Sequence, residues 1–381
     1  MELPLDYPTL RLIWWALLGV LLIGFSLTDG YDLGVATLLP FVAKTDAERR
    51  LAINTIAPTW EGHQVWFILG GGAIFAAWPF VYAVSFSGFY YAMFIVLAAL
   101  ILRPVGFKYR SKRESKTWRG MWDWALFIGG FVPALIFGVA VGNVLQGVPF
   151  RLDGDLRSYY EGGLFGLLNP FALLAGLISV AMLVTHGAAW LIVKAEKGPV
   201  RDRAAAIGQR TALATIILFV LAGVWLAVAG PGYRFAGEVD FAGPSNPLRN
   251  AVVAEPGAWL GNYKTYPLTM IAPVVGVLGS LLAFLGIRAK REFPSLAGSA
   301  LAIAGVISTV GLSMFPFILP SSLDPNSSLT VWDSSSSHFT LFFMLIVTVI
   351  FLPIVLLYTG WVFKVLWGRL STEEATSPSS Y

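Results

Sequence analysis

Nine stretches of about twenty or more residues, each running almost without charge, decide what this chain can become. They lie roughly at 10–33, 51–77, 80–102, 123–146, 164–193, 205–229, 267–288, 295–319 and 338–367. Such lengths suit helices that cross a bilayer and exceed the need of a barrel strand. None alternates polar with apolar as a barrel strand must. Hydrocarbon offers no partner to an unpaired backbone group. The expected product is therefore a closed helical bundle, an all-α integral membrane protein with about nine transmembrane helices and a single polytopic domain over 1–381. Composition agrees: 13% of the residues are charged, about half the share of a soluble domain. The second stretch is the least apolar, since "LAINTIAPTWEGHQVW" is half polar and holds Pro58. If 51–102 held one span, the total would be eight.

Lysine and arginine set the expected orientation. In the nine-span arrangement, five segments share one side: 44–50, 103–119, 194–210, 288–291 and the C-terminal stretch. They carry 20 basic residues against 5 on the other side, with Arg11 inside the first span. This places the N-terminus outside (periplasmic) and the C-terminus in the cytoplasm. An eight-span arrangement would move Lys44, Arg49 and Arg50 to the outside, which disfavours it. The longest outer loop is 230–266, where Asn246 offers a helix cap. The tail 370–381, with "STEEATSPSSY", reads as loose and cytoplasmic. The N-terminus lacks the basic region and small-residue site of a cleaved signal peptide. There is no cysteine, so thiol chemistry is excluded. A net charge of +4 without a basic, aromatic-lined groove argues against nucleic acid.

The charges that defy this pattern are the informative ones. "SLTDGYDLG" at 26–34 places Asp29 and Asp32 close to the inner edge of the first span. Residues three apart share a helix face, so both carboxylates can point into the bundle. "TWEGHQVW" at 59–66 adds Glu61, His63 and Gln64, with Trp60 beside them, near the start of the second span on the same side. An ionisable group at membrane depth costs several kcal/mol unless paired or wetted, which makes it a functional candidate. The plain alternative is a set of solvated interface residues and helix caps, an even choice for Asp29. Asp32 and Glu61 are flanked by apolar sequence, which favours a role in passing protons inward. Arg103, before Pro104 at a helix end, either snorkels or pairs with one of the acids. Asp123, which begins the fourth span, reads as a helix-start or interface residue.

The three histidines, His63, His186 and His338, do not form a metal pattern, and His338 lies across the membrane from the other two. No metal site is expected. A haem on this chain alone has no support in the spacing.

Seven stretches carry a family resemblance: "LRLIWWALLGVLLIGFSLTDGYDLGV" (10–35), "NTIAPTWEGHQVW" (54–66), "FAAWPFVYAVSFSGFYYAM" (75–93), "RPVGFKYRSK" (103–112), "GNVLQGVPF" (142–150), "MFPFILPSS" with "SLTVWDSSSS" (314–337), and "LPIVLLYTGWVFKVLWGR" (352–369). They run in order from end to end, weakest over 231–265. The chain resembles subunit II of the bacterial cytochrome bd quinol oxidases. These terminal oxidases of aerobic respiration oxidise membrane quinol and reduce O2 to water without pumping.

The resemblance implies two four-helix bundles plus one peripheral helix in the bacterial inner membrane. It implies a heterodimer with a haem-bearing subunit I, which holds haems b and d and the quinol-oxidation site. Small single-helix subunits often join the pair, and in some members a structural quinone lies within subunit II. The resemblance also implies that acids at Asp32 and Glu61 line a proton path from the cytoplasm. Asp29 is a third expected member, with Trp60, His63, Gln64 and Arg103 in support and no catalytic residue in this chain. Departures are visible. Relatives often have Asp at Glu61, Asn at His63, His at Thr59 and an acid at Lys108. His186 and His338 stand where Gln is expected and read as polar packing residues. A proton-coupled secondary transporter is the rival reading; the inverted repeats and paired broken helices expected of one are not visible.

Overall fold

The computed structural model describes residues 3–377. The first helix, α1 (Tyr7–Val42), is 36 residues long, capped by Asp6, whose carboxylate accepts from the Thr9 amide at 2.7 Å. At about 1.5 Å per residue it outruns the ~30 Å hydrocarbon layer, so its last turns lie beyond it. There follow α2 (Asp46–Asn54), α3 (Trp60–Ala77), α4 (Pro79–Gly88), α5 (Tyr90–Tyr109), α6 (Lys116–Gln146), α7 (Pro170–Lys194) and α8 (Pro199–Val228). The short α9 (Gly261–Thr265) precedes α10 (Ile271–Arg288), α11 (Glu292–Met314), α12 (His338–Val365) and the single-turn α13 (Thr372–Ala375).

Eight of these helices are long and apolar enough to cross a membrane among the described residues. The ninth expected span is α3. Its 18 residues reach about 27 Å, and it packs along α1, but it opens on the polar run Trp-Glu-Gly-His-Gln. The expected span over 51–77 is therefore two pieces. Residues 51–54 end α2, a helix with a full capping box at Thr45 and Glu48, and the turn at 55–59 with Pro58 separates it from α3. The expected third span, 80–102, also divides. Its first part is α4, which packs against the hairpins described below, and the crossing helix begins at Tyr90. The fifth span begins at Pro170 after a 3-10 turn (Leu164–Leu168), and the eighth ends at Met314, before a strand.

The end that carries the N-terminus, the outer end by charge bias, holds three two-stranded antiparallel pairs: β1 (Phe150–Leu152) with β2 (Ser158–Tyr160), β3 (Tyr233–Phe235) with β4 (Val252–Ala254), and β5 (Phe317–Leu319) with β6 (Leu329–Thr330). Asn246 does cap, but only a three-residue turn, Pro247–Arg249. Arg11, fully buried, staples this end. Its nitrogens donate to Ser335 Oγ, the Phe241 and Gly243 carbonyls and Ser245 Oγ, and its guanidinium lies 3.6 Å over the Tyr7 ring.

The inner half of α1 is the axis of the fold. Every residue from Asp29 to Leu39 is buried. Glycines allow this enclosure: a Cβ on Gly34 would stand 2.1 Å from the Leu183 carbonyl oxygen of α7, and one on Gly130 of α6 would stand 2.6 Å from the Leu33 carbonyl oxygen. The described part of the tail is ordered, contrary to expectation. Ser371 and Glu374 form a capping box, α13 packs against α2, and Ala375 is buried. Residues 378–381 of that tail lie outside the described residues. By contrast α12 is nearly bare, with 6% of its most apolar window buried.

Candidate functional site

Asp29 and Asp32 occupy one face of α1 at the edge of its enclosed half, and both are fully buried. Two helices supply their partners. From α5, Arg103 grips Asp29 with both terminal nitrogens, Nη1 to Oδ2 at 3.1 Å and Nη2 to Oδ1 at 2.9 Å. The same Nη2 lies 3.8 Å from Asp32 Oδ2. From α3, the Gln64 amide donates to Asp29 Oδ1 at 2.9 Å, and His63 Nδ1 stands 2.6 Å from Asp32 Oδ2. Within α1, the Tyr31 hydroxyl lies 3.2 Å from His63 Nε2. Arg103 thus pairs with an acid and does not snorkel. Its guanidinium lies 6.0 Å from the Trp60 ring, which places Trp60 in the same group.

The helical repeat explains which residues of "WEGHQVW" join. Trp60, His63 and Gln64 are three and four apart and share the face turned to α1. Glu61 is two residues from His63, about 200° around the helix, and so points away. It is exposed, on one face with Val65 (55% exposed) and Ile68 (72%). The expected trio of carboxylates is therefore a buried pair, with Glu61 across the helix from it. Sequence reasoning missed Tyr31. The signal was its position between the two acids in "DGYD"; an aromatic residue in a spanning helix attracts no notice otherwise.

Aromatic rings enclose the imidazole. Phe363 of α12 stacks on His63 at 5.9 Å between centroids and 12° between planes, and Tyr31 stacks on Trp190 of α7 at 3.9 Å and 11°. The Trp190 indole N–H donates to the Thr55 carbonyl, which ties the stack to the 55–59 turn. The pocket holds two carboxyl groups and one guanidinium. Arg103 is committed to Asp29 by two bonds, which leaves Asp32 with the imidazole as its close partner. Among the described residues, no group donates to Asp32 Oδ1.

The remaining polar groups are accounted for elsewhere. His186 is buried between Ser299 Oγ (2.8 Å) and the Leu27 carbonyl (2.9 Å), and His338 bonds the Leu5 carbonyl and stacks on Tyr7. Asp123 is not at a helix start but seven residues into α6. There it is buried and accepts from Arg49 and Arg110 at 2.6 Å each. No group of three or more His, Cys, Asp or Glu with metal-binding geometry occurs among the described residues.

Comparison with known proteins gives one consistent result. The family model described as cytochrome bd terminal oxidase subunit II matches residues 10–366. A Haemophilus influenzae protein called probable cytochrome oxidase subunit 2 is 54% identical over 369 residues, 97% of each chain. The Escherichia coli cytochrome bd-I ubiquinol oxidase subunit 2 is 51% identical over 370 residues, again 97% of each. A solved bd oxidase chain from Geobacillus thermodenitrificans shares the fold with a TM-score of 0.67 at 16% identity, covering 94% of this chain and 98% of that one.

Proposed function

From the premise that this chain belongs to the cytochrome bd terminal oxidase subunit II family, we propose that it is the subunit of a quinol:oxygen oxidoreductase that scaffolds a haem-bearing subunit I and brings it protons from the cytoplasm. The observation that carries this reading is the buried Asp29–Arg103–Asp32–His63 group at the inner end, one helix width from the uncovered face of α3. Ionisable groups at such depth are kept at a cost, and they mark ion or proton paths by default.

Each residue has a part. Arg103 neutralises Asp29 and fixes its carboxylate, while Gln64 holds one of its oxygens. Asp32, with only a distant share of the guanidinium, is the acid free to take up and give back a proton. Glu61, exposed in this chain beside Gly62, Val65 and Ile68, stands where a partner polypeptide would cover it and receives the proton at that boundary.

The haems b and d belong to subunit I on this reading. His63 and His186 are engaged at both ring nitrogens and His338 at Nε2, so none of these five nitrogens is offered as an axial ligand. The haems supply O2 reduction there. This chain's residues bind, orient and move protons. Residues for a structural quinone are not assigned, and small single-helix subunits are further expected partners. The protein sits in the bacterial inner membrane with its N-terminus periplasmic and its C-terminus cytoplasmic, and the tail 370–381 lies on the cytoplasmic side.

The test is turnover of the purified complex with Asp32→Asn or Glu61→Gln in this chain. Haem content, read from the visible spectrum, stays at the parent level while quinol-driven O2 consumption falls a hundredfold or more, within the roughly 10²–10⁴ range for a lost acid–base group. Full turnover in both variants rejects the relay. Loss of haem instead would assign the acids to assembly.

A further inference from the structure

We infer that Tyr31 and His63 form the entry limb of the proton path, a phenol–imidazole–carboxyl wire leading from the inner turn at 55–59 to Asp32; this rests on the reading of Asp32 as a relay acid. The two contacts are in series. Tyr31 Oη is 3.2 Å from His63 Nε2, and His63 Nδ1 is 2.6 Å from Asp32 Oδ2. The opposite sides of one ring thus face a hydroxyl and a carboxyl group, the arrangement in which an imidazole accepts at one nitrogen and donates at the other.

The surroundings support transfer over packing alone. A phenylalanine at 31 would stack on Trp190 equally well; the hydroxyl adds only its polar contacts. The hydrogen-bonding contact is to the His63 nitrogen, and the turn that holds Thr59 joins the Tyr31–Trp190 stack through the Trp190 bond to the Thr55 carbonyl. Thr59 is half-buried and Pro58 beside it is exposed, so the turn that holds them is where water meets the wire. At the far end Asp32 Oδ1 accepts no protein hydrogen bond, which leaves a seat for a proton. Asp32 and Tyr31 of α1 and Phe363 of α12 stand against His63, with Asp29 and Arg103 of α5 behind Asp32, while Glu61 of its own helix faces away. Arg103 and the two acids are the buried charges among them, and they are already engaged with one another.

The step balances as one proton moved. A proton arriving at the Tyr31 oxygen replaces the phenolic proton as that one passes to His63 Nε2. The Nδ1–H bond breaks as its proton passes to Asp32 Oδ2. Tyr31 ends as it began, Asp32 has gained the proton, and the neutral imidazole has exchanged tautomers. The starting tautomer returns when water at the turn takes up the Nε2 proton and supplies one to Nδ1, an exchange that moves no net proton.

The experiment uses the whole complex with Tyr31→Phe, His63→Asn and Asp32→Asn, and expresses rates per assembled haem so that partial assembly does not enter. Tyr31→Phe keeps the ring and its stacking. It should lower quinol-driven O2 consumption roughly fivefold and raise the solvent deuterium isotope effect, and His63→Asn should do both more strongly, to roughly tenfold; these stay below a direct acid–base loss because water still reaches Asp32 slowly. A second readout needs no turnover. In the infrared spectrum of the resting complex, a carboxylic C=O band that disappears in Asp32→Asn should shift in His63→Asn. If Asp32→Asn slows the enzyme while Tyr31→Phe and His63→Asn keep the parent rate, isotope effect and band position, the wire is wrong and the relay acid stands. If Asp32→Asn itself runs at full rate, both fall.

Discussion

Arg103 offers the sharpest energetic test. Its side chain is 1% exposed and that of Asp29 is 0%, and two hydrogen bonds of 2.9 and 3.1 Å join them. Hydrogen bonds to charged groups are each worth about 1.5–3 kcal/mol, and removing one member of a buried pair costs about 3–5 kcal/mol because the other charge is left stranded. Arg103→Met should therefore lose about 4 kcal/mol, close to a thousandfold in the ratio of folded to unfolded chain. Replacing both partners should be far milder, since an apolar pair of similar volume is often neutral. Arg103→Met with Asp29→Leu is thus expected to recover most of the loss, short of what Gln64 forfeits when its acceptor goes. The assay is the yield and thermal midpoint of the detergent-solubilised complex for the single and the double variant. A single variant as stable as the double one would refute the reasoning, because it would show that Asp29 carries no charge needing a partner.

Further predictions concern the frame around the site. Gly34→Leu should abolish assembly, because even its Cβ would stand 2.1 Å from the Leu183 carbonyl oxygen; near-normal yield in membranes would show that α1 and α7 can separate. Arg11→Lys leaves one ammonium to serve four acceptors, so the loop at 236–250 should become open to protease added to the outer face of spheroplasts, and equal resistance would refute the staple. Burial raises the Asp333 carboxyl above the ordinary carboxylate range, an effect partly offset by bonds from Ser334, Thr330 and Asn250. The folded chain then holds that proton more tightly than the unfolded one, so the contribution of Asp333 is complete at low pH and fades as pH rises from the ordinary value through the raised one. Asp333→Asn should flatten that part of the stability–pH curve, and an unchanged slope between mildly acidic and neutral pH would refute it.

Much of this architecture can be read from the residues, for physical reasons that differ by element. Apolar length marks the helices able to cross, because the bilayer sets the length they need, while the bias of lysine and arginine supplies the orientation expected of them. Asp29 and Asp32 declare themselves because a carboxylate in an apolar run has few harmless explanations. Glu61 shows where this stops. Its presence is legible, but the side it faces depends on how α3 turns toward α1, and that is set by the close fit of Trp60, His63 and Gln64 around Arg103 and the acids. The division of 51–102 is half legible: Pro58 and Pro79 mark the breaks, yet only packing decides that α2 and α4 stay outside the crossings. Arg103 and Tyr31 are partners supplied by tertiary structure, and no spacing rule joins position 103 to position 29.

The ring of Phe363 has a temporal consequence. It belongs to α12, the last long helix in chain order, and it stacks on the imidazole beside Asp32. While the polypeptide is being made, the acids of α1 have entered the bilayer long before their final cover exists. Until α12 arrives, that cavity has an open side through which water can hydrate Asp29 and Asp32, sparing the nascent chain the expense of naked charge in lipid. Closure comes at the end of synthesis, so a chain truncated before residue 363 would retain Asp29, Asp32 and His63 and lack the ring that covers the imidazole.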